Sequence, residues 1–366
     1  MCFFWSPFQL AVREGLQKCM KHELQSWKIV TFLADLTIEC KCLGFLPDTG
    51  DTVLLTGGRQ SYTGYLSSTL LYPEGCSVPD LNGVLQHHTT FLTQDSPARI
   101  ATCGGSSNGK RVKECWVLQG DSWRAGELDD LPEARIWAAD ARLEIGVFLI
   151  GGATSQDKSS VFLRANTSSW VSGPDVPREM WRGSLALDRG PCAAPISPHS
   201  FLVVHRTDVF EFDTTVGGPT SNAGWQPKEK WPQLQELRKN WPGCTVVNGK
   251  FIVVSGLGDD NNFKALKTTE IIDLEQRTLS VAGEMAKTRM DFKLLSINGI
   301  LFALAGNGYV PENNAHTYIA EVEEFVEETG TWKAAKSLPG GRNNHGGVSV
   351  TKELVCGPGE VTILSN

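Results

Sequence analysis

Short runs of aliphatic and β-branched residues recur along the chain, and six of them end in glycine. They are TVLLTGG, RIATCGG, VFLIGG, FIVVSG, LFALAG and ELVCG, which end at Gly58, Gly105, Gly152, Gly256, Gly306 and Gly357. The successive steps are 47, 47, 104, 50 and 51 residues, and the long step spans two units because SFLVVHR lies between them. An uninterrupted apolar run is typical of a strand covered on both faces. A period of about 50 residues therefore predicts a radial array of small β-sheets.

Each unit contains four predicted strands, a to d. After Pro132 these are IWAADARL (a), VFLIGG (b), SSVFLRA (c) and SSWVSGP (d). Trp123 and Trp170 each follow the second glycine of their strand b by 18 residues, which places both aromatic rings at the same point of the unit.

This unit of apolar run, double glycine, later aromatic residue and Pro- or Arg-containing approach to the next strand resembles the kelch repeat. The resemblance covers about residues 44–366 and implies an all-β fold, a kelch-type β-propeller. Two features depart from the family pattern. His205 and Arg206 stand where the fourth unit should carry glycines, and several units lack the usual Tyr before the Trp.

The repeat favours six blades, with seven as the alternative. Strand a is clear six times and strand d six times, from Cys76 to Trp332, whereas strand b occurs seven times. We expect HGGVSV to supply strand a of the first blade, so that the chain ends meet and no sheet edge is left open. ELVCG then competes with TVLLTGG for one position. A seventh blade would use TIECKC or IVTFLADL.

Residues 1–43 lie outside the repeat and form a separate N-terminal extension. Ser6 and Pro7 are a typical start of a helix. An amphipathic stripe at four-residue spacing follows, at Phe8, Val12, Leu16, Met20 and Leu24. We expect a packing or partner helix here rather than a secretory signal, because no basic residue precedes the first apolar residues.

Composition narrows the class of partner. Lys and Arg number 34 against 41 Asp and Glu, so the net charge is −7, and no basic block is present. Nucleic acid is therefore not an expected partner, since it requires a basic stripe. No apolar run approaches the roughly 20 residues of a membrane-spanning helix, so no membrane span is expected.

The ten cysteines leave the compartment open. Cys103 and Cys115 flank one b-to-c connection and could face each other across it, but free buried thiols are more common. Asn166-Thr167-Ser168 is a glycosylation sequon on a predicted c-to-d turn. These features slightly favour the cytoplasm over secretion.

One loop imitates catalytic motifs. The segment Gly104–Lys110 contains the glycines and lysine of a phosphate-binding loop, but Arg111 stands where a hydroxyl residue should hold Mg²⁺. A strand follows it instead of a helix, which also excludes a nucleophile elbow. No HExxH is present, and no metal or other cofactor is expected.

A copper radical oxidase similar to galactose oxidase is a remote alternative, because such enzymes also have kelch-like propellers. They need Tyr and Cys for a cross-linked cofactor, with His ligands. The five tyrosines here, at 62, 65, 72, 309 and 318, show no matching arrangement. We therefore expect a protein that is not an enzyme.

The function of a propeller lies in its loops. In peptide-binding kelch propellers the b-to-c and d-to-a loops share one face. The candidate binding residues in d-to-a loops are Arg135, Trp181, Arg182, Arg238, Trp241, Arg289, Arg342, Asn343 and Asn344, and those in b-to-c loops are Arg59, Lys110 and Arg111.

A ring of bases on this face would attract an acidic or phosphorylated peptide. The alternative is that the periodic arginines brace the blades through backbone carbonyls. We therefore expect a non-catalytic protein-interaction module that acts as a scaffold or substrate-recognition unit. An extracellular adhesion or ligand-binding propeller with oxidised cysteines is the alternative.

Overall fold

The computed structural model describes residues 50–153, 160–177, 180, 190–258, 265–310 and 315–357. The predictions for residues 1–43, for Trp181 and for Arg182 fall outside these ranges. Within them, no helix is both long enough and apolar enough to span a bilayer.

The first half of the described chain forms three antiparallel sheets, called blades I to III. Blade I contains β1 (Thr52–Arg59) and β2 (Tyr65–Tyr72). Blade II contains β3 (Thr89–Leu92), β4 (Ile100–Cys103), the hairpin of β5 (Ser106–Ser107) and β6 (Lys110–Arg111), β7 (Cys115–Gln119) and β8 (Ser122–Ala125). Blade III contains β9 (Ala139–Leu143), β10 (Gly146–Ile150), β11 (Val161–Arg164) and β12 (Trp170–Ser172).

The second half forms blades IV to VI. Blade IV contains β13 (Cys192–Pro195), β14 (Ser200–His205) and β15 (Asp208–Asp213). Blade V contains β16 (Gly243–Val247), β17 (Lys250–Val254), β18 (Thr269–Asp273) and β19 (Leu279–Ala282). Blade VI contains β20 (Lys293–Ile297), β21 (Ile300–Leu304), the hairpin of β22 (Asn307–Val310) and β23 (Ala315–Tyr318), β24 (Val322–Val326) and β25 (Thr331–Ala335). Strand β26 (Gly346–Val350) and the short helix α1 (Lys352–Cys356) follow.

The ring closes as the sequence predicts. Strand β26 pairs antiparallel with β1, with Leu54 opposite Val348, and becomes the inner strand of blade I. The inner strands contact one another in the cyclic order β26, β3, β9, β13, β16 and β20, and β20 contacts β26. The described residues therefore form a six-bladed propeller, and the preference for six blades over seven is confirmed.

Two details differ from the prediction. ELVCG is not a strand: its residues lie in α1 and in Gly357, so TVLLTGG takes the strand b position of blade I. Blades I and IV contain three strands each within the described residues, so strand d is absent at Cys76. In the outer strands apolar and polar residues alternate only weakly, so these strands are harder to predict than the apolar strand b.

The fourth unit lacks its glycines for a geometric reason. His205 ends β14 and pairs directly with Asp208 of β15, so only two residues connect strands b and c. Arg206 adopts a positive φ of 60° in this turn. The other blades have longer b-to-c loops, in which a glycine such as Gly58, with φ +99°, avoids a clash with the carbonyl of Asn343.

The hydrophobic core is divided among the spaces between neighbouring sheets. For example, Phe91, Val117, Val147 and Leu163 pack between blades II and III. Tryptophan side chains also link neighbouring blades by hydrogen bonds. The indole N–H groups of Trp123, Trp170 and Trp225 donate to the carbonyls of Pro79, Asp129 and Asp175 at 2.9, 3.1 and 2.8 Å.

Three disulfides are present among the described residues, whereas the sequence favoured free thiols for Cys103 and Cys115. Cys76–Cys356 attaches α1 to the segment after β2, Cys103–Cys115 joins strands b and c of blade II, and Cys192–Cys244 joins the inner strands of blades IV and V. The sequence showed that Cys103 and Cys115 could meet, but it gave no reason to pair the other four.

Candidate interaction face

The b-to-c and d-to-a loops meet on one side of the propeller, which we call the loop face. Isolated backbone bridges join the two kinds of loop around the ring. These bridges are Arg59–Asn343, Gln86–Ser106, Ile136–Ala153, Asn240–Leu257 and Met290–Asn307. These bridges place the b-to-c and d-to-a loops side by side on one face of the propeller.

The four periodic arginines are buried below the loop face. Arg135, Arg238, Arg289 and Arg342 are between 0% and 5% exposed. Each guanidinium donates from Nη1 to a carbonyl at the end of strand b of its own blade. The acceptors are Gly151, Ser255, Ala305 and Gly57, respectively.

Two of these arginines also pair with buried carboxylates on strand c. Arg238 Nη2 lies 2.8 Å from Glu270 Oε2, and Arg289 Nη2 lies 2.9 Å from Glu323 Oε1. Burial lowers the pKa of both guanidinium groups, and the paired glutamates oppose that shift. Burial also lowers the pKa of Arg135 and Arg342 to about 10. All four still carry a charge at neutral pH, but their guanidinium groups interact with acceptors of their own blade.

Around the centre of the loop face, one residue per blade takes a left-handed backbone conformation. These residues, which we call the axial ring, are His87, Trp137, Gly190, Trp241, Asp291 and Asn344, with φ between 53° and 66°. Hydrogen bonds link neighbours: the N–H of His87 donates to Asn344 O at 2.7 Å, that of Trp137 to His87 O at 3.0 Å, and that of Trp241 to Gly190 O at 3.2 Å.

One half of the axial ring is aromatic. The rings of His87 and Trp137 lie 4.6 Å apart, and those of Trp137 and Trp241 lie 6.1 Å apart, both in edge-to-face geometry. All three side chains are partly exposed. Gly190 allows this contact, because a Cβ there would lie 2.5 Å from Cδ1 of Trp241.

Ionisable groups gather below the other half of the ring. Burial raises the pKa of Asp291 to about 7, against the opposing charges of Lys293 and Arg59. Burial, together with the charges of Lys293 and His87, lowers the pKa of His88 to about 3. The pKa of His345 is lowered well below its ordinary value by burial and by the charges of Arg342, Lys293 and His88.

The b-to-c loop of blade I presents exposed aromatic rings. Tyr62 is 85% exposed and Tyr65 is 37% exposed. The guanidinium of Arg59 lies 5.5 Å from the centroid of each ring and donates to the carbonyl of Tyr62 at 2.5 Å. Arg59 therefore orders this loop as well as adding charge to it.

The segment that imitates a phosphate-binding loop is a short hairpin. Asn108 and Gly109 form its turn between β5 and β6, both with positive φ, and Lys110 and Arg111 are exposed on its second strand. Among the described residues, no group of three or more His, Cys, Asp or Glu side chains is placed to hold a metal ion.

The structure thus separates the predicted site residues into two groups. Lys110 and Arg111 are exposed, and Arg59 and Trp241 are partly exposed, whereas Asn343 and Asn344 are 5% exposed like the periodic arginines. The repeat pattern did not point to five residues of this face: His87, Trp137, Asp291, Tyr62 and Tyr65. A signal for the axial ring was present, since Trp137, Trp241 and Asp291 each precede the left-handed residue at the end of strand b by 14 positions.

Comparison with known proteins agrees with this architecture. The chain is 24% identical over 237 residues to Kelch-like protein 41a of Danio rerio, an alignment that covers 60% of this chain and 36% of that relative. Together with the six closed blades, this similarity supports a kelch-repeat propeller.

The similarity to known proteins is limited in extent. No family model matches the chain. The chain also spans only about a third of the length of the curated relative that it matches. The similarity therefore concerns only part of that relative.

Proposed function

We propose that this kelch propeller is a non-catalytic protein-interaction module, a scaffold or substrate-recognition unit, that binds a peptide or protein partner through its loop face. The single observation that carries the proposal is the exposed loop surface of blades I and II, where Tyr62 and Tyr65 lie against the partly exposed Arg59 of blade I and the hairpin of blade II exposes Lys110 and Arg111. Tyrosine and arginine are the residue types that dominate binding energy in protein interfaces.

Charge supports an acidic partner. The protein carries a net charge of −7, yet this surface presents Arg59, Lys110 and Arg111. Exposed guanidinium groups make bidentate, charge-assisted contacts with carboxylates and phosphates. The four buried arginines of the periodic positions do not take part in this proposal, because their Nη1 atoms already donate to backbone carbonyls.

The test compares partner recovery by two variants. Lys110→Glu/Arg111→Glu reverses the charge of the exposed hairpin, and Lys333→Glu reverses an exposed base on the outer strand β25. We expect affinity purification with mass spectrometry to recover a protein with the wild type and with Lys333→Glu but not with the hairpin variant. Equal recovery by all three would contradict the proposal. Phosphatase treatment of the partner separates a phosphorylated ligand from an acidic one.

The second candidate is an extracellular adhesion or ligand-binding propeller. The three disulfides favour it, because stable disulfides are typical of oxidising compartments. Asn166 of the glycosylation sequon is also exposed, in the turn between β11 and β12. For this candidate we expect alkylation of the denatured native protein to leave at least six of the ten cysteines unmodified. Ten reactive thiols would exclude it.

A further inference from the structure

The centre of the loop face contains a lysine, Lys293, that forms no salt bridge with a described carboxylate. Lys293 begins β20 and follows Asp291 of the axial ring by two residues. Phe292 between them is buried in the core between blades V and VI, so Asp291 and Lys293 lie on the opposite face of the sheet, which faces the inner strand of blade I. Lys293 is partly exposed, and its side chain makes no hydrogen bond or salt bridge with another described residue.

The glycines of β26 make room for this side chain. A Cβ added to Gly347 would lie 3.0 Å from Cγ of Lys293, so the aliphatic stem of the lysine packs against Gly347 on the inner strand of blade I. That position brings its charge close to His88 and His345, and the pKa values of both histidines are lowered by it. Lys293 therefore lies near the axis and not at the rim.

Positive charge predominates in this region. At neutral pH the charges that act on His88, His345 and Asp291 come from Lys293, Arg342 and Arg59. Asp291 is the one carboxyl group among these interacting residues of the described chain, and its raised pKa leaves much of it protonated at neutral pH. A protonated carboxyl can donate a hydrogen bond to a second carboxylate.

A buried histidine lies in the same place. His345 is 3% exposed, and neither of its ring nitrogens has a hydrogen-bond partner among the described residues. An unsatisfied buried polar group costs about 1–3 kcal/mol and calls for an explanation. An anion held beside Lys293 would favour the protonated form of such an imidazole.

We propose that an acidic side chain of the partner enters the axial ring and pairs its carboxylate with the ammonium of Lys293. This inference rests on the proposed function, because the partner supplies the carboxylate. The partly exposed rings of His87, Trp137 and Trp241 form the opposite wall and pack against the methylene groups of the acidic side chain. Protonated Asp291 donates to the second oxygen of that carboxylate.

The first test uses hexaglutamate as a probe, with hexaglutamine as the uncharged control, in calorimetric titrations at pH 6.5. We expect the wild type to bind only hexaglutamate, Lys293→Gln to weaken binding about tenfold, and Lys293→Arg to retain it. Lys333→Gln, an exposed base of the same blade, should bind as the wild type does. Equal affinity of Lys293→Gln and wild type, or no binding of hexaglutamate by the wild type, would overturn the inference.

A pH series adds a readout that a structural role would not produce. As pH rises from 6 to 8, Asp291 loses its proton next to the bound carboxylate, so we expect the affinity of the wild type for hexaglutamate to fall. Asp291→Asn should remove most of this dependence, since an amide donates at every pH. A competition experiment at equal ionic strength compares inorganic phosphate with free glutamate. If phosphate displaces hexaglutamate from the wild type as effectively as glutamate does, the site binds anions in general, and the assignment to a carboxylate is overturned.

The two proposals can fail separately. If the native partner binds Lys293→Gln as tightly as the wild type but is lost from Lys110→Glu/Arg111→Glu, the axial contact is wrong and the loop-face function stands. If neither variant changes binding of the native partner, the loop-face function is wrong as well.

Discussion

Arg238 and Glu270 form an ion pair of 2.8 Å in which neither side chain is exposed to solvent. Arg238 also donates to the carbonyl of Ser255 at 2.6 Å, and Glu270 accepts from the backbone N–H of Gln235 at 2.6 Å. The pair therefore ties the segment before strand a to the end of strand b and to strand c. Its position shows why a base recurs at this point of the repeat.

We expect Arg238→Ala to lower the free energy of unfolding by about 3–5 kcal/mol, because it leaves the Glu270 carboxylate buried without its counter-ion. Lys336→Ala, which breaks the exposed pair of Lys336 with Glu74, should have little effect. Urea unfolding followed by circular dichroism measures both. A stable Arg238→Ala protein with lost partner binding would instead support a direct role of Arg238 in recognition.

The inner strand of blade I should not tolerate a side chain at Gly346. An added Cβ would lie 2.5 Å from Thr56 Oγ1 and 2.6 Å from His88 Nε2. Gly346→Ala should therefore destabilise the propeller by about 1–3 kcal/mol, the usual cost of overpacking. Gly340→Ala is the control, since no atom lies within 4 Å of its added Cβ. Equal melting temperatures of the two variants would show that β26 can shift.

The stability of the propeller should fall in acid because of His88. Its Nε2 accepts the backbone N–H of Gly346 at 3.2 Å and lies 2.8 Å from Thr56 Oγ1, which fits the neutral imidazole. The folded pKa is about 3, below the ordinary value of 6.5, so the unfolded chain binds more protons between these values. The contribution of His88 is therefore complete above pH 6.5 and is lost progressively as pH falls toward 3.

Thermal melts of the wild type and His88→Asn between pH 4 and pH 8 measure this contribution. The difference in melting temperature between the two proteins should shrink as pH falls below 6.5. Asp291 acts in the opposite direction, since its raised pKa favours the folded state at low pH. The melting temperatures with and without His88→Asn should therefore also be compared in the Asp291→Asn variant. A difference that stays constant with pH would contradict a neutral buried His88.

The disulfide between Cys76 and Cys356 should stabilise the closed ring, because it joins residues 280 positions apart. A cross-link over so long a loop restricts the unfolded chain strongly, and removal typically costs about 2–4 kcal/mol. We expect this loss for Cys76→Ala/Cys356→Ala in non-reducing denaturant titrations. Each single variant should match the double variant, since either change breaks the same bond. Unchanged stability of all three would mean that the pair contributes nothing to closure.

The sequence predicts those parts of the fold that are repeated and buried. Strand b recurs with an apolar run and a left-handed residue at its end, so its period and the six blades follow. The pairing of β26 with β1 also follows, because HGGVSV continues the series of inner strands. The prediction of a strand at ELVCG was wrong, since a short apolar run that ends in glycine is compatible both with a strand and with the last turn of a helix.

The candidate site was less predictable because its residues are defined by departures from the repeat. A periodic arginine fits a binding ring and an internal brace equally well, and only the burial of Arg289 or Arg342 separates the two. Lys293 gave no signal at all, since a lysine at the start of a strand is ordinary. Its significance comes from Gly347 and His345, which lie on and directly before a strand, β26, that is distant in sequence and adjacent in space.

The closure of blade I determines when the propeller can be completed during synthesis. Strand β1 precedes its inner partner β26 by nearly 300 residues, so a ribosome must translate five further blades before Val350 becomes available. Until then, the inner edge of β1 has no strand to pair with, and blades II to VI form an open arc. Joining the arc is a contact of very high sequence separation, which makes it a late and slow step. A nascent chain stalled before residue 346 should therefore be the form most in need of a chaperone.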